Sequence, residues 1–307
     1  MPAFALAIAA ISIAGTAAIA QPRVDVSKYY KETLVPWSTA KSFLIYHVDT
    51  GKEVASLNPE YSAPVASLTK MMTVLIADEE LSYGVGYELA EDEAKIFKVE
   101  QLTLDQMVEM ALVPSNNLVC KVLARLIDGS EPAFVSRMNK RAAELGMTGT
   151  RYANASGLPS KSAQYSNVRD QLILTLELLK RPVPAEKCRK HWIFFDERYD
   201  STIFYLKEKY PIAGVKSGWT NAAGRCLSLL VETEQFGSFI VITMGSSSIA
   251  QGFVDAEIIL SRFGLVELAP GSLLAAARLQ EAEREKAHKE AEAAKISGTS
   301  GIAQVKS

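Results

Sequence analysis

Ser67 and Lys70 stand three residues apart in "PVASLTKMMTVLIADEEL" (64–81), at the head of an apolar run. At the first turn of a helix, residues three apart share a face, so Lys70 Nζ would reach Ser67 Oγ. A serine hydroxyl becomes a nucleophile only when a base removes its proton. Lysine is that base when burial or a second cation depresses its pKa. The same spacing also suits an N-cap serine with a surface lysine. A second copy, Ser38-Thr-Ala-Lys41, stands ahead of a strand rather than at a helix start, so spacing alone does not single out Ser67.

Two more groups carry chemistry. "VPSNN" sets Ser115, Asn116 and Asn117 at a helix start. There a hydroxyl and an amide can relay a proton and hold a peptide carbonyl, although both types also serve as ordinary caps. "GVKSGWT" ends a strand with Lys216-Ser217-Gly218, the one Lys-Ser/Thr-Gly in the chain. A cation and a hydroxyl beside a glycine make a carboxylate cradle, because the glycine lets ligand approach the strand edge. Lys216 is also a candidate for the second cation that Lys70 needs.

Other chemistries find less support. His47, His191 and His288 lie outside any strand–turn–helix elbow, which argues against a Ser-His-Asp mechanism. The spacing of Cys188 and His191 matches no zinc site, and neither a metal nor a cofactor is expected. "GTSG" near the end has no lysine and no preceding strand, so it is not a phosphate loop. Cys120 and Cys226 sit in apolar or strand-like flanks and read as buried free thiols.

The elements that must position these groups follow from periodicity. The chain has 307 residues, 48% apolar and 22% charged, enough for one large domain or two small ones. Its net charge of −2 gives no basic surface for nucleic acid. Residues 3–20 carry no charge and end in Ala18-Ile19-Ala20, which reads as an export signal cleaved after Ala20. The alternative is a retained anchor, since those residues just reach spanning length, so membrane association stays open. Either way the body would work outside the cytoplasm, in the periplasm or an equivalent compartment.

"SFLIYHVD" (42–49) and "EVASLN" (53–58) read as a hairpin. Helices are expected from Ser67 to about Tyr83, and over 103–113, 115–127, 131–145 and 168–180. Strands are expected over 211–218, 225–233 and 237–245, then an amphipathic helix over 250–265. Strands flanking a central helical block predict an α+β fold. Its core would be an antiparallel five-stranded sheet, with helices on both faces and an inserted helical subdomain. The domain would run from 21 to 265. Beyond it, 266–307 has no large apolar residue between Leu279 and Lys295 and reads as a solvated helix or disordered tail.

Ser-x-x-Lys, Ser-x-Asn and Lys-Ser/Thr-Gly, in that order, form the signature of serine β-lactamases and penicillin-binding proteins. "DTGKEVASLNPEYSAPVASLTKMMT", "VSRMNKRAAELGMTGTRYANASGL" and "KSGWTNAAGRCLSLLV" further resemble the D-alanyl-D-alanine carboxypeptidases among low-molecular-weight penicillin-binding proteins, from about Ser42 to Leu265. The resemblance implies a β-lactamase/transpeptidase-like fold and hydrolysis of peptidoglycan stem peptides through an acyl-enzyme that β-lactams trap. It makes Ser67 the nucleophile, Lys70 its base and Ser115 the proton relay. Asn117 would contact the substrate amide, and Lys216 with Ser217 would hold its carboxylate beside Gly218. The N–H groups of Ser67 and Trp219 would form the oxyanion hole.

The chain departs from the family pattern in places. Ser217 replaces the usual threonine, and Ser-Asn-Asn stands for Ser-Gly-Asn. "RYDSTIFYLKEKYP" poorly matches the usual Asn-rich stretch, and there is no room for the C-terminal β-domain and anchor of many relatives. That brevity, with "TNAAGRC", leans toward endopeptidase members that cleave crosslinks. A class A β-lactamase ranks lower: its Glu-x-x-Leu-Asn is absent, and Leu57-Asn58 precedes the nucleophile. An inactive cell-wall-binding homologue is the non-enzymatic alternative.

Overall fold

The computed structural model describes residues 24–25 and 38–300. The expected export signal, most of the lead-in and the last seven residues of the tail lie outside the described residues.

In β2 (Ser42–His47), Phe43 and Ile45 turn to one face and Leu44 to the other, and all three are buried. Such a strand needs cover on both sides. It pairs antiparallel with β3 (Lys52–Leu57) and, on its other edge, with β10 (Gly237–Ser246). From β10 the sheet continues through β9 (Gly224–Thr233) to β8 (Ile212–Thr220). The first hairpin therefore pairs with the last three strands, as the sequence predicts. A two-residue strand, β1 (Val24–Asp25), adds a sixth member parallel to β3.

Between β3 and β8 runs the helical insertion. A 3₁₀ turn (Ala66–Leu68) leads into α1 (Thr69–Glu80), so the regular helix begins two residues later than the sequence suggests. Then come β4 (Gly86–Glu88), α2 (Glu91–Phe97), β5 (Gln101–Thr103), α3 (Leu104–Leu112), α4 (Asn117–Asp128) and α5 (Glu131–Glu144). After a long loop follow α6 (Val168–Leu179), α7 (Pro182–Lys187), β6 (Trp192–Phe194), β7 (Arg198–Asp200) and α8 (Phe204–Lys209). The short elements β4–β7, α2, α7 and α8 were not anticipated, since runs of three to seven residues leave little periodicity to read. Caps fix the longer helices: Thr103 Oγ1 accepts from Gln106 N, Asn116 Oδ1 from Val119 N and Asn167 Oδ1 from Asp170 N.

α1 is buried over nearly its whole length, with Met71, Met72, Leu75 and Ile76 packed among Leu104, Met107, Leu123, Phe134 and Leu174. Each such side chain contributes about 2 kcal/mol by leaving water. This core covers one sheet face. The other carries Phe43, Ile45, Leu227, Leu229 and Val241 against α9 (Ile249–Arg262) and the start of α10 (Leu273–Ser300). The tail is therefore helical, and its first turn is anchored. The buried Glu257 carboxylate accepts from Leu274 N at 2.7 Å and from the hydroxyls of Tyr205 and Tyr210 at 2.6 and 2.9 Å. No helix among the described residues is long and apolar enough to cross a membrane.

Candidate active site

The turn that carries Ser67 is held under strain. Ala66 is buried with φ +48°, a left-handed conformation that costs a residue with a side chain about 1 kcal/mol. Two glycines pack against it. A Cβ on Gly157 (φ +82°) would lie 1.8 Å from Ala66 O, and one on Gly218 would lie 2.7 Å from Ser67 N. Strand β8 thus reaches the Ser67 amide, and only glycine leaves the gap open.

Lys70, on the first turn of α1, is fully buried. Its Nζ lies 2.6 Å from Ser67 Oγ, 2.8 Å from Asn117 Oδ1 and 2.9 Å from Ser156 O. Burial lowers its pKa from the ordinary lysine value. In the neutral amine, the two N–H bonds satisfy Asn117 Oδ1 and Ser156 O, and the lone pair faces the Ser67 hydroxyl. The arrangement is one in which a neutral Lys70 can accept the Ser67 proton.

Ser156 and its neighbours line the site through contacts that sequence reasoning missed. Thr73, one turn along α1, donates to Ala155 O at 2.6 Å, so α1 grips two successive carbonyls of this loop. Asn154 Oδ1 accepts from the N–H groups of Ser156 and Gly157, and Glu131 accepts from Ala155 N. "ANASG" lay inside a stretch with family resemblance, but carbonyl acceptors leave no signature in side-chain type.

The second motif divides its labour. Asn116 caps α4 through its amide oxygen, so the helix opens at Asn117 rather than at Ser115. This is where the extra amide of Ser-Asn-Asn goes, and Asn117 remains free to meet Lys70. Ser115 sits in the connection before α4 with φ +67°. Among the described residues, no hydrogen bond engages its hydroxyl.

Lys216 is fully buried, and its Nζ donates to Ser217 O at 3.0 Å. Burial, then the charges of Lys70 and Arg225, hold its pKa well below the ordinary value. Ser217 Oγ donates to Thr202 Oγ1 at 2.8 Å, and Trp219 follows half-buried on the same strand. Cys120, Cys188 and Cys226 are buried free thiols, and burial pushes each up to about 11, so none is a ready thiolate. No three metal-ligating side chains cluster among the described residues.

The structure therefore brings Ser67, Lys70, Asn117 and Gly218 into direct register. It places Lys216 within electrostatic reach of Lys70 and sets Ser115 in the connection between α3 and α4. Such a cluster can deprotonate a serine and hold an anion nearby.

Comparison with known proteins agrees with this geometry. The D-alanyl-D-alanine carboxypeptidase family matches residues 30–248. A carboxypeptidase of Bacillus subtilis, DacF, is 30% identical over 68% of this chain and 58% of its own length. A D-alanyl-D-alanine endopeptidase of Pseudomonas aeruginosa is 31% identical over 61% of this chain and 65% of its own. The chain thus spans about 60% of the length of these curated relatives. Among solved structures, penicillin-binding protein D2 of Listeria monocytogenes, in an ampicillin-bound form, superposes with a TM-score of 0.65 at 25% identity, covering 73% of this chain and 97% of that one. With the motif order, the strained serine turn and the lysine beneath it, these matches establish that the chain belongs to the D-alanyl-D-alanine carboxypeptidase family.

Proposed function

We propose that this chain is a serine-type D-Ala-D-Ala carboxypeptidase that hydrolyses peptidoglycan stem peptides through an acyl-enzyme and is trapped by β-lactams. The observation that carries the reading is the placement of Lys70 Nζ at 2.6 Å from Ser67 Oγ, with two further acceptors for its remaining protons. Neutral Lys70 takes the Ser67 proton as Oγ attacks the carbonyl of the penultimate D-alanine. The N–H groups of Ser67 and Trp219 stabilise the oxyanion, an effect worth about 3–4 kcal/mol per donor in comparable sites. Ser115 passes a proton to the departing amine, and Asn117 holds the substrate amide. Lys216 and Ser217 receive the terminal carboxylate beside Gly218, and water then releases the acyl group.

The compartment belongs to the same reading. Residues 1–20 act as an export signal, the domain spans 21–265, and the substrate lies outside the cytoplasm. Endopeptidase action on crosslinks is a second reading, favoured by the 31% identity to the Pseudomonas endopeptidase.

Labelling with a fluorescent penicillin tests the nucleophile. It is expected to be lost in Ser67→Ala, and equal labelling of that variant would overturn the assignment. Purified muropeptides then separate the two peptidase readings. Free D-alanine from pentapeptides identifies the carboxypeptidase, and loss of crosslinked dimers identifies the endopeptidase.

A further inference from the structure

Thr202 lies in "RYDSTIFYLKEKYP" (198–211), a stretch that poorly matches the family pattern. Three parts of the site meet on it. Its N–H donates to Val113 O at 3.1 Å, two residues before Ser115. Its carbonyl accepts from Arg225 Nη2 at 2.8 Å. Its Oγ1 accepts from Ser217 Oγ at 2.8 Å.

Arg225 is itself fixed. It is 5% exposed, and its guanidinium lies 4.9 Å from the centre of the Phe253 ring. A Cβ on Gly252 would fall 2.2 Å from Arg225 Cγ, so α9 leaves room for it only by carrying glycine there. With both backbone polar groups of Thr202 engaged, its hydroxyl has a fixed origin and one torsion left to turn.

Ser217 has one hydroxyl proton, and that proton points to Thr202. Elsewhere its oxygen offers only lone pairs, which repel a carboxylate. Serine also lacks the methyl that stiffens χ1 in threonine, so its rotamer must be held from outside.

We propose that Thr202 is a positioning residue for the Ser217 hydroxyl. When a substrate carboxylate arrives, Ser217 turns its proton to the carboxylate, and Thr202 turns its own proton to Ser217 Oγ. Each oxygen keeps its proton and one hydrogen bond reverses direction, so nothing is transferred. The inference rests on the peptidase reading above and deepens it. Arg225 contributes by holding the Thr202 carbonyl.

The test compares two acyl donors on the full chain: an N-acyl tripeptide ending in D-Ala-D-Ala, and a neutral phenyl ester of N-acyl-D-alanine with no carboxylate. Thr202→Val removes the hydroxyl at nearly constant volume. It is expected to lower kcat/KM for the tripeptide about tenfold, carried by KM, because the Ser217 hydroxyl that Thr202 orients donates to a charged group. The loss on the neutral ester is expected to be at least several-fold smaller, and Thr202→Ser should restore the tripeptide value to within about twofold of wild type. Equal losses on both donors, no loss on either, or failure of Thr202→Ser to rescue would overturn the proposal. A wild-type chain inactive on both donors would overturn the peptidase reading instead.

Discussion

Lys70 and Lys216 are both fully buried, the charge of Lys70 lowers the pKa of Lys216, and among the described residues neither forms an ion pair. Lys216 has a single carbonyl for its ammonium, whereas Lys70 has three acceptors. Burial lowers the pKa of both amines, and the charge of Lys70 lowers that of Lys216 further.

The first prediction concerns the base. Acylation needs neutral Lys70, whose pKa is lowered from 10.5 by burial. The rate of penicillin labelling should thus rise with pH and reach half its plateau below pH 10.5; falling pH protonates the amine and slows it. Lys70→Arg, which keeps the charge and removes the base, should cost about 100-fold or more across the range. A flat wild-type profile would contradict the assignment of Lys70.

The second concerns Lys216. A carboxylate-bearing ligand brings the counter-charge that this buried amine lacks, and so raises its pKa on binding. Titration calorimetry in buffers of different ionisation enthalpy should register net proton uptake, and affinity should fall as pH rises. An ester of the same ligand should show no uptake.

Much of this site was legible in the sequence. Ser67, Lys70, Asn117 and Lys216 are side-chain chemistry at fixed spacings, and periodicity sufficed to set the first three at or just before helix starts; Lys216, expected to end a strand, lies inside β8, which runs on to Thr220. Ser156, Gly157 and Thr202 were not legible. The first acts through a backbone carbonyl and the second through having no side chain. The third became visible only when Val113, Ser217 and Arg225 were seen to converge on it. The five sheet strands were expected, but two-residue β1 and the short hairpin β6–β7 are too brief for period-2 alternation to stand out. Ser115 was expected to open a helix; the Asn116 amide, a better-placed cap, moved the start by two residues.

A third prediction tests the turn beneath the nucleophile. Gly157→Ala adds a methyl where the Ala66 carbonyl already sits and forces alanine into φ +82°. Unfolding free energy should fall by about 2–4 kcal/mol, read by thermal melting. Penicillin labelling at a temperature where the variant remains folded should also fall sharply, because Ala66 cannot yield without moving Ser67. A variant with reduced melting temperature but unchanged labelling would show that the turn is stiffer than its contacts imply.

A fourth uses Lys207, a second site where burial opposes charge. Its Nζ donates to the carbonyls of Cys188 and Lys190 at 2.7 Å each, and burial lowers its pKa to about 8. The unfolded chain holds that proton up to about pH 10.4, so above pH 8 the folded state binds fewer protons than the unfolded one. Stability must therefore rise with pH between those values, by about 3 kcal/mol at most, and the gain is lost as pH falls through 8. Denaturant titrations between pH 8 and 9.5 should show this slope in the wild type, and a reduced slope in Lys207→Met.

The pairing of His47 with Phe239 joins a strand near the start of the domain to β10, the last strand of its sheet along the chain. Every catalytic motif falls inside the loop that this pairing closes. Contacts so distant in sequence form late, because the chain loses entropy before they reward it. A nascent polypeptide would therefore carry Ser67 and Lys70 long before β10 exists to lock β8 and β9 beside them. The topology delays assembly of the reactive centre until nearly the whole domain is present, so a partly made or truncated chain is inert by construction.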